Sequence, residues 1–163
     1  MATLLFTHEA GFRHENPPGH PESVARLEAV EEALEAAEFG ALLRREAPVA
    51  AGADLLRCHP AGYLAKLQAA APDEGFRQLD PDTWLSPLSW EAAERAAGGV
   101  CAAVDAVLAG EAANAFVAMR PPGHHAEAIR PMGFCLLGNV AIGAKRALDH
   151  HGLSRVAVLD FDV

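Results

Sequence analysis

A chain of 163 residues suits one domain. Thirteen Lys and Arg against 22 Asp and Glu give a formal charge of −9, so a nucleic-acid binder's basic footprint is missing, as is a cationic cluster for an anionic membrane. Hydrophobic residues at 51% with 21% charged describe a globular chain, and no run approaches the roughly 20 apolar residues of a membrane helix.

Leu4–Phe6 reads as a first strand, and Thr7–Pro21 as a loop rich in His, Asn, Gly and Pro. A helix is expected from Pro21 to Glu38, with Val24, Leu27, Val30, Leu34 and Ala37 as its buried stripe and a row of Glu on the other faces. Leu55–Ala71 contains a second helix, opened by Pro60 and carrying Tyr63, Leu64 and Leu67 inward. Asp73–Leu85 reads as a polar loop. Ser86 and Pro87 then cap and start a long helix to Ala109, in which Gly98 and Gly99 suggest close backbone packing. Ala115–Met119 is a short buried strand, Asn139–His150 a helix ended by Gly152, and Val156–Phe161 a last strand. Met1–Thr7 lacks the basic stretch and cleavage site of a signal peptide. Cys58, Cys101 and Cys135 are odd in number without CxxC spacing, which fits a reducing cytoplasm.

Strands alternating with helices indicate an α/β fold around a mainly parallel sheet. In such sheets the chemistry collects beyond the carboxyl ends of the strands. That rule selects Arg120–Phe134 and Asp160–Val163, and a single crossover puts both on one edge of the sheet, as neighbouring segments.

Within the first segment, Arg120-Pro121-Pro122-Gly123 makes a rigid lead-in to His124 and His125. A pair of imidazoles divides acid and base work well, because one ring can accept a proton while the other donates one. The plain alternative is two loop histidines with ordinary hydrogen bonds. Asp160 and Asp162 are two apart on a strand, so both carboxylates share a face; buried acids there must be paired, hydrogen-bonded or metal-bound. A loop cap is the plain alternative for one of them. Asp-x-Asp at a strand end also resembles the nucleophile strand of haloacid-dehalogenase-type phosphatases, although the Gly-Thr continuation is missing. Gly133 allows close approach to a ligand, Phe134 suits the wall of a slot, and Cys135 has no feature of a nucleophile. His8, His14 and His20 read as packing and capping residues, with Glu22 and Arg26 as an ion pair one helical turn apart.

Taken together, Arg120 to Ala126, Gly133-Phe134-Cys135 with Asn139 to Ile142, and Val158 to Val163 resemble the zinc-dependent histone deacetylase superfamily. The bacterial class II-like deacetylases and acetylpolyamine amidohydrolases are the nearest branch. His20-Pro21-Glu22 with Arg26, and His59 ahead of Tyr63, match the same pattern. The resemblance implies a three-layer arginase/deacetylase-like sandwich, with residues 1–163 as the N-terminal portion of one deacetylase domain. It implies hydrolysis of an N-acetyl amide on protein lysine or a polyamine. His124 and His125 become the catalytic pair, and Asp160 orients His124 and helps Asp162 hold a structural K⁺. Asp162 is a Zn²⁺ ligand, the Gly133 carbonyl meets the substrate amide, Phe134 lines the acyl-lysine channel, and Asp82 is the rim acid. A homo-oligomer stays open.

Gly138 stands where the family commonly has Asn. The family's His-His-Gly-Asn-Gly, expected directly after Val163, and its later ligand Asp and carbonyl-polarising Tyr are not in this sequence, whose one tyrosine is Tyr63. A catalytic zinc needs about three protein ligands. The chain alone is therefore expected to bind zinc weakly and to be inactive, as part of a longer polypeptide. A non-catalytic binding module and an Asp-based phosphohydrolase are the two other readings.

Overall fold

The computed structural model describes residues 2–162. Val163, which closes the second selected segment, lies outside them. β1 (Thr3–Thr7) is the middle of a three-stranded parallel sheet of order β2-β1-β5, with β2 at Leu43–Glu46 and β5 at Asn114–Val117. Alternation along β1 sorts its side chains to two faces. Leu4 and Phe6 pack with Ala47, Ala103 and Ala106, the last two on α5 (Ser89–Leu108). Leu5 packs with Ala118 and with Leu27 of α2 (Val24–Leu34). Helix, sheet and helix thus form the three expected layers.

The second large cluster lies away from the sheet. There α5 meets α3 (Gly52–Leu55), α4 (Ala61–Ala69) and α6 (Asn139–Asp149) around Leu55, Tyr63, Leu67, Ala97, Leu136 and Ile142. The close approach expected at Gly98 is present: a Cβ there would lie 2.0 Å from the Pro48 carbonyl oxygen. α6 spans almost the expected residues, and Gly152 beyond it adopts φ +72°.

Several elements differ from expectation. α2 begins at Val24, because Pro21 and Glu22 belong to a bonded loop and Ser23 is still extended. Of its expected stripe only Leu27 is buried, and Val30 is 37% exposed. α5 starts at Ser89, since the Ser89 hydroxyl accepts the Ser86 amide and bonds its hydroxyl. A short helix, α1 (Ala10–Arg13), interrupts the first loop. The polar 73–85 segment contains an antiparallel hairpin, β3 (Arg77–Asp80) and β4 (Thr83–Leu85). β2 carries Arg44, Arg45 and Glu46 along an exposed edge, a pattern that protects edges from association and hides them from periodicity.

Val156–Phe161 is a correction. It forms no strand, and Leu159 and Phe161 are each 86% exposed. An apolar run becomes a strand only with a ladder partner, and among the described residues β5 bonds only β1.

Candidate active site

β5 delivers the chain through Ala118 and Met119 to Arg120, which is buried. Both Glu22 carboxylate oxygens grip this guanidinium, one through Nη2 at 2.7 Å, and Nη1 donates to the Gly11 carbonyl at 2.9 Å. Asn16 Nδ2 donates to Glu22 at 2.6 Å, and the His14 ring lies 3.5 Å from it. His14 also bonds the Ser89 hydroxyl at 2.7 Å. Burial pushes the Glu22 carboxyl up, but hydrogen bonds from His14 and Arg120 together with the Arg120 charge outweigh it and hold the group at about 2. Burial lowers the His14 ring's pKa, against the pull of Glu22. The expected Glu22–Arg26 pair is therefore replaced by Glu22–Arg120, which roots the histidine loop in the body.

Further along, the loop rests on α6. A Cβ on Gly123 would come 2.2 Å from the Asn139 side chain, and the Val140 amide donates to the Gly123 carbonyl at 3.1 Å. His124 and His125 follow with ring centroids 4.0 Å apart and planes tilted by 47°. His124 Nδ1 meets Asp160 Oδ2 at 2.9 Å. With Asp160 ionised, that contact holds a proton on Nδ1 and turns Nε2 toward the Asp162 carboxylate. The Asp162 amide, followed by the His124 ring, lowers the Asp160 pKa. Asp162 Oδ2 lies 3.7 Å from His124 Nε2 and 3.6 Å from His125 Nε2. The ligand atoms of His124, His125 and Asp162 all fall within 4.8 Å of one another.

The expected rim residues also meet. Gly133 has φ +56° and lies against His125, where a Cβ would come 2.5 Å from the ring. Phe134 adopts φ +66°, a conformation uncommon for a non-glycine residue. Asp82 Oδ1 accepts the Gly133 amide and Thr83 Oγ1 accepts the Phe134 amide, both at 3.1 Å. His20, read from sequence as a packing residue, joins these segments. Its Nε2 donates to the Asp82 carbonyl at 3.0 Å, its Nδ1 accepts the Glu22 amide at 3.1 Å, and its ring meets Phe134 edge-on with centroids 4.9 Å apart. Asp80 turns away to Arg130. Cys135 is fully buried, and burial pushes its thiol up, as expected of a packing residue.

In this α/β fold, two adjacent imidazoles beyond the carboxyl end of β5 face two carboxylates. The histone deacetylase domain model matches residues 20–163, and the chain belongs to that family. It is 45% identical over 146 residues to a histone deacetylase-like amidohydrolase of Pseudomonas aeruginosa, covering 89% of this chain and 38% of that protein. A probable deacetylase of Methanothermobacter thermautotrophicus is 35% identical over 161 residues, covering 98% of this chain and 47% of that protein. The crystal structure of the HDA15 HD domain superposes with a TM-score of 0.82 at 28% identity, covering 88% of this chain and 42% of that one. The chain thus spans about half the length of these relatives, or less.

Proposed function

We propose that residues 1–163 form the N-terminal portion of a single deacetylase domain that hydrolyses N-acetyl amides, on protein lysine or on a polyamine, with zinc. The observation that carries this reading is the meeting of His124, His125, Asp160 and Asp162. Asp160 orients His124. The two rings divide the work of taking a proton from the attacking water and giving one to the leaving amine. The Gly133 carbonyl and Asp82 position the substrate, and Phe134 walls the acyl slot. When bound, zinc polarises the amide carbonyl and acidifies water.

The donors present suit that ion: Asp162 supplies a carboxylate oxygen, and Asp160 with Asp162 would hold K⁺. With both imidazoles reserved for proton transfer, Asp162 is the one zinc ligand among the described residues that matches the family pattern. The chain alone is therefore expected to bind zinc weakly and turn nothing over. A cytoplasmic location is part of the proposal, supported by three free thiols. No helix among the described residues is long and apolar enough to cross a membrane.

The test is zinc content and hydrolysis of acetyl-lysine peptides and acetylpolyamines by the protein carrying the whole domain. Stoichiometric zinc with neither substrate cleaved would sink the deacetylase reading. His125→Ala should abolish turnover while Cys135→Ala keeps it; the reverse would overturn the assigned mechanism. One observation favours a second reading. The 4.8 Å cluster lets His124, His125 and Asp162 hold an ion directly, as a binding module. Tight one-to-one zinc binding by this chain, lost in both His125→Ala and Asp162→Ala, would select that reading. An Asp160 nucleophile is disfavoured, because the carboxylate is engaged by His124 and the Asp162 amide.

A further inference from the structure

His59 lies between α3 and α4 and is 1% exposed. Its Nδ1–H donates to the Ala128 carbonyl at 3.0 Å, and its Nε2 accepts the Gly138 amide at 2.9 Å. Both ring nitrogens are therefore used, and only the neutral Nδ1–H tautomer satisfies both partners. The ring stacks on Tyr63 at 5.1 Å and 27°. Tyr63 in turn donates its buried hydroxyl to the Leu136 carbonyl at 2.7 Å. Two side chains from one short segment thus hold backbone groups at 128, 136 and 138, which bracket Gly133 and Phe134.

What lies between those anchors is stiff. Met132 and Cys135 exchange amide-to-carbonyl bonds of 3.1 and 3.0 Å, closing a turn with Gly133 and Phe134 at positive φ. Such a turn moves as a unit with its anchors. Its tip is held by Asp82 and Thr83, and its C-terminal root by Tyr63 and His59. His124 and His125 are rooted through Glu22, Arg120 and the start of α6, and they meet the turn where Cys135 Sγ accepts the His125 amide at 3.4 Å and Gly133 lies against the His125 ring. Tyr63 and His59 thus bond the slot wall directly, and reach the imidazole pair one step further on, through Cys135 and Gly133 and through Gly138 at the start of α6.

We propose that Tyr63 and His59 are positioning residues for the Phe134 wall, which they bond directly, acting on substrate affinity more than on bond cleavage. The kinetic form of this inference rests on the deacetylase reading. Tyr63→Phe removes one hydroxyl and keeps the ring. In the protein carrying the whole domain it should raise KM for an acetyl-lysine peptide about fivefold, the weight of one net hydrogen bond, and leave kcat within about twofold. His59→Gln keeps a donor and an acceptor and should preserve KM better than His59→Ala. A fall in kcat with KM unchanged would overturn the inference. So would unchanged kinetics in a Tyr63→Phe protein of lowered melting temperature, which would reduce the bond to core packing. If Tyr63→Phe does not fold, the two His59 variants carry the same comparison.

If the unaltered protein cleaves no acetyl amine, the deacetylase reading has failed and the positioning role is read by NMR. The ¹⁵N shifts should show His59 protonated at Nδ1 and bare at Nε2. Tyr63→Phe, or His59→Ala where that variant does not fold, should speed amide exchange across 128–138 without speeding it in α5. Equal acceleration in both, or the other tautomer, would contradict the proposal.

Discussion

The imidazole loop and the carboxylate segment meet at a single site but are supported in opposite ways. Arg120 is buried and makes bonds to residues 98 and 109 positions away, on the N-terminal loop and α1. Asp160 and Asp162 lie on a segment without ladder bonds, their side chains 54% and 59% exposed, and they reach the body through the imidazoles themselves. Geometry at His124 and His125 is thus imposed by a packed interior, whereas geometry at the carboxylates depends on the rings they face. In the chain of residues 1–163, substitutions on the first side should cost folding stability and those on the second should not.

The largest effect is expected at the root of the loop. Arg120→Ala leaves Glu22 buried without its main partner, and breaking such a pair costs about 3–5 kcal/mol. Denaturant unfolding should report that loss. A change within error would mean that the loop is not anchored there, and the contrast between the two regions would collapse.

Acid probes that anchor, and the separate His59 contact, without mutation. Burial lowers the pKa of His59, opposed by the Ala128 carbonyl, and that of His14, opposed by Glu22. The unfolded chain therefore takes up protons first, and stability should begin to fall below pH 6.5. Glu22, at about 2 against an ordinary 4.5, adds a further loss as pH drops from 4.5 toward 2. The stability contributed by Glu22 is fully present above pH 4.5. Glu22→Gln should flatten the lower part of a plot of urea midpoint against pH and His59→Gln the upper part. An unaltered curve in both would remove these groups from the balance.

At the rim, a smaller cost is expected. Gly133→Ala forces a side chain onto φ +56° and against the His125 ring. Overpacking of this kind costs roughly 1–3 kcal/mol. It should also lower turnover, because the ring that must move is one of the imidazole pair. Stability lost with turnover intact would separate rim from chemistry.

What was legible in sequence follows from how local each cause is. The strand-exit rule found His124, His125 and the two carboxylates, because Pro, Gly and apolar runs mark strand ends by themselves. It assumed that Val156–Phe161 pairs in a sheet, and apolar content alone cannot provide a ladder. β2 and the β3–β4 hairpin escaped because exposed residues such as Arg44, Arg45, Arg77 and Gln78 give no alternation. Glu22 was matched to Arg26 because helical spacing is visible, whereas a partner 98 residues away is not. His59 and His20 were named from sequence, yet their purpose lies in backbone groups of a distant loop, which residue types do not encode.

The smallest effect on folding, and the sharpest test of the contrast, belongs to Asp160→Asn. The amide keeps size and shape and removes the charge that holds the His124 proton on Nδ1. Since in this chain the carboxylate is exposed and its partners are His124 and a neighbouring amide, the melting temperature of the chain of residues 1–163 should stay where it was. The imidazole, by contrast, should lose its tautomer preference, visible in the His124 ¹⁵N shifts, and turnover in the whole-domain protein should fall with it. A drop in melting temperature comparable to that of Arg120→Ala would show that the carboxylate segment supports the body after all. The two regions would then be one structural unit rather than an anchored half and a facing half.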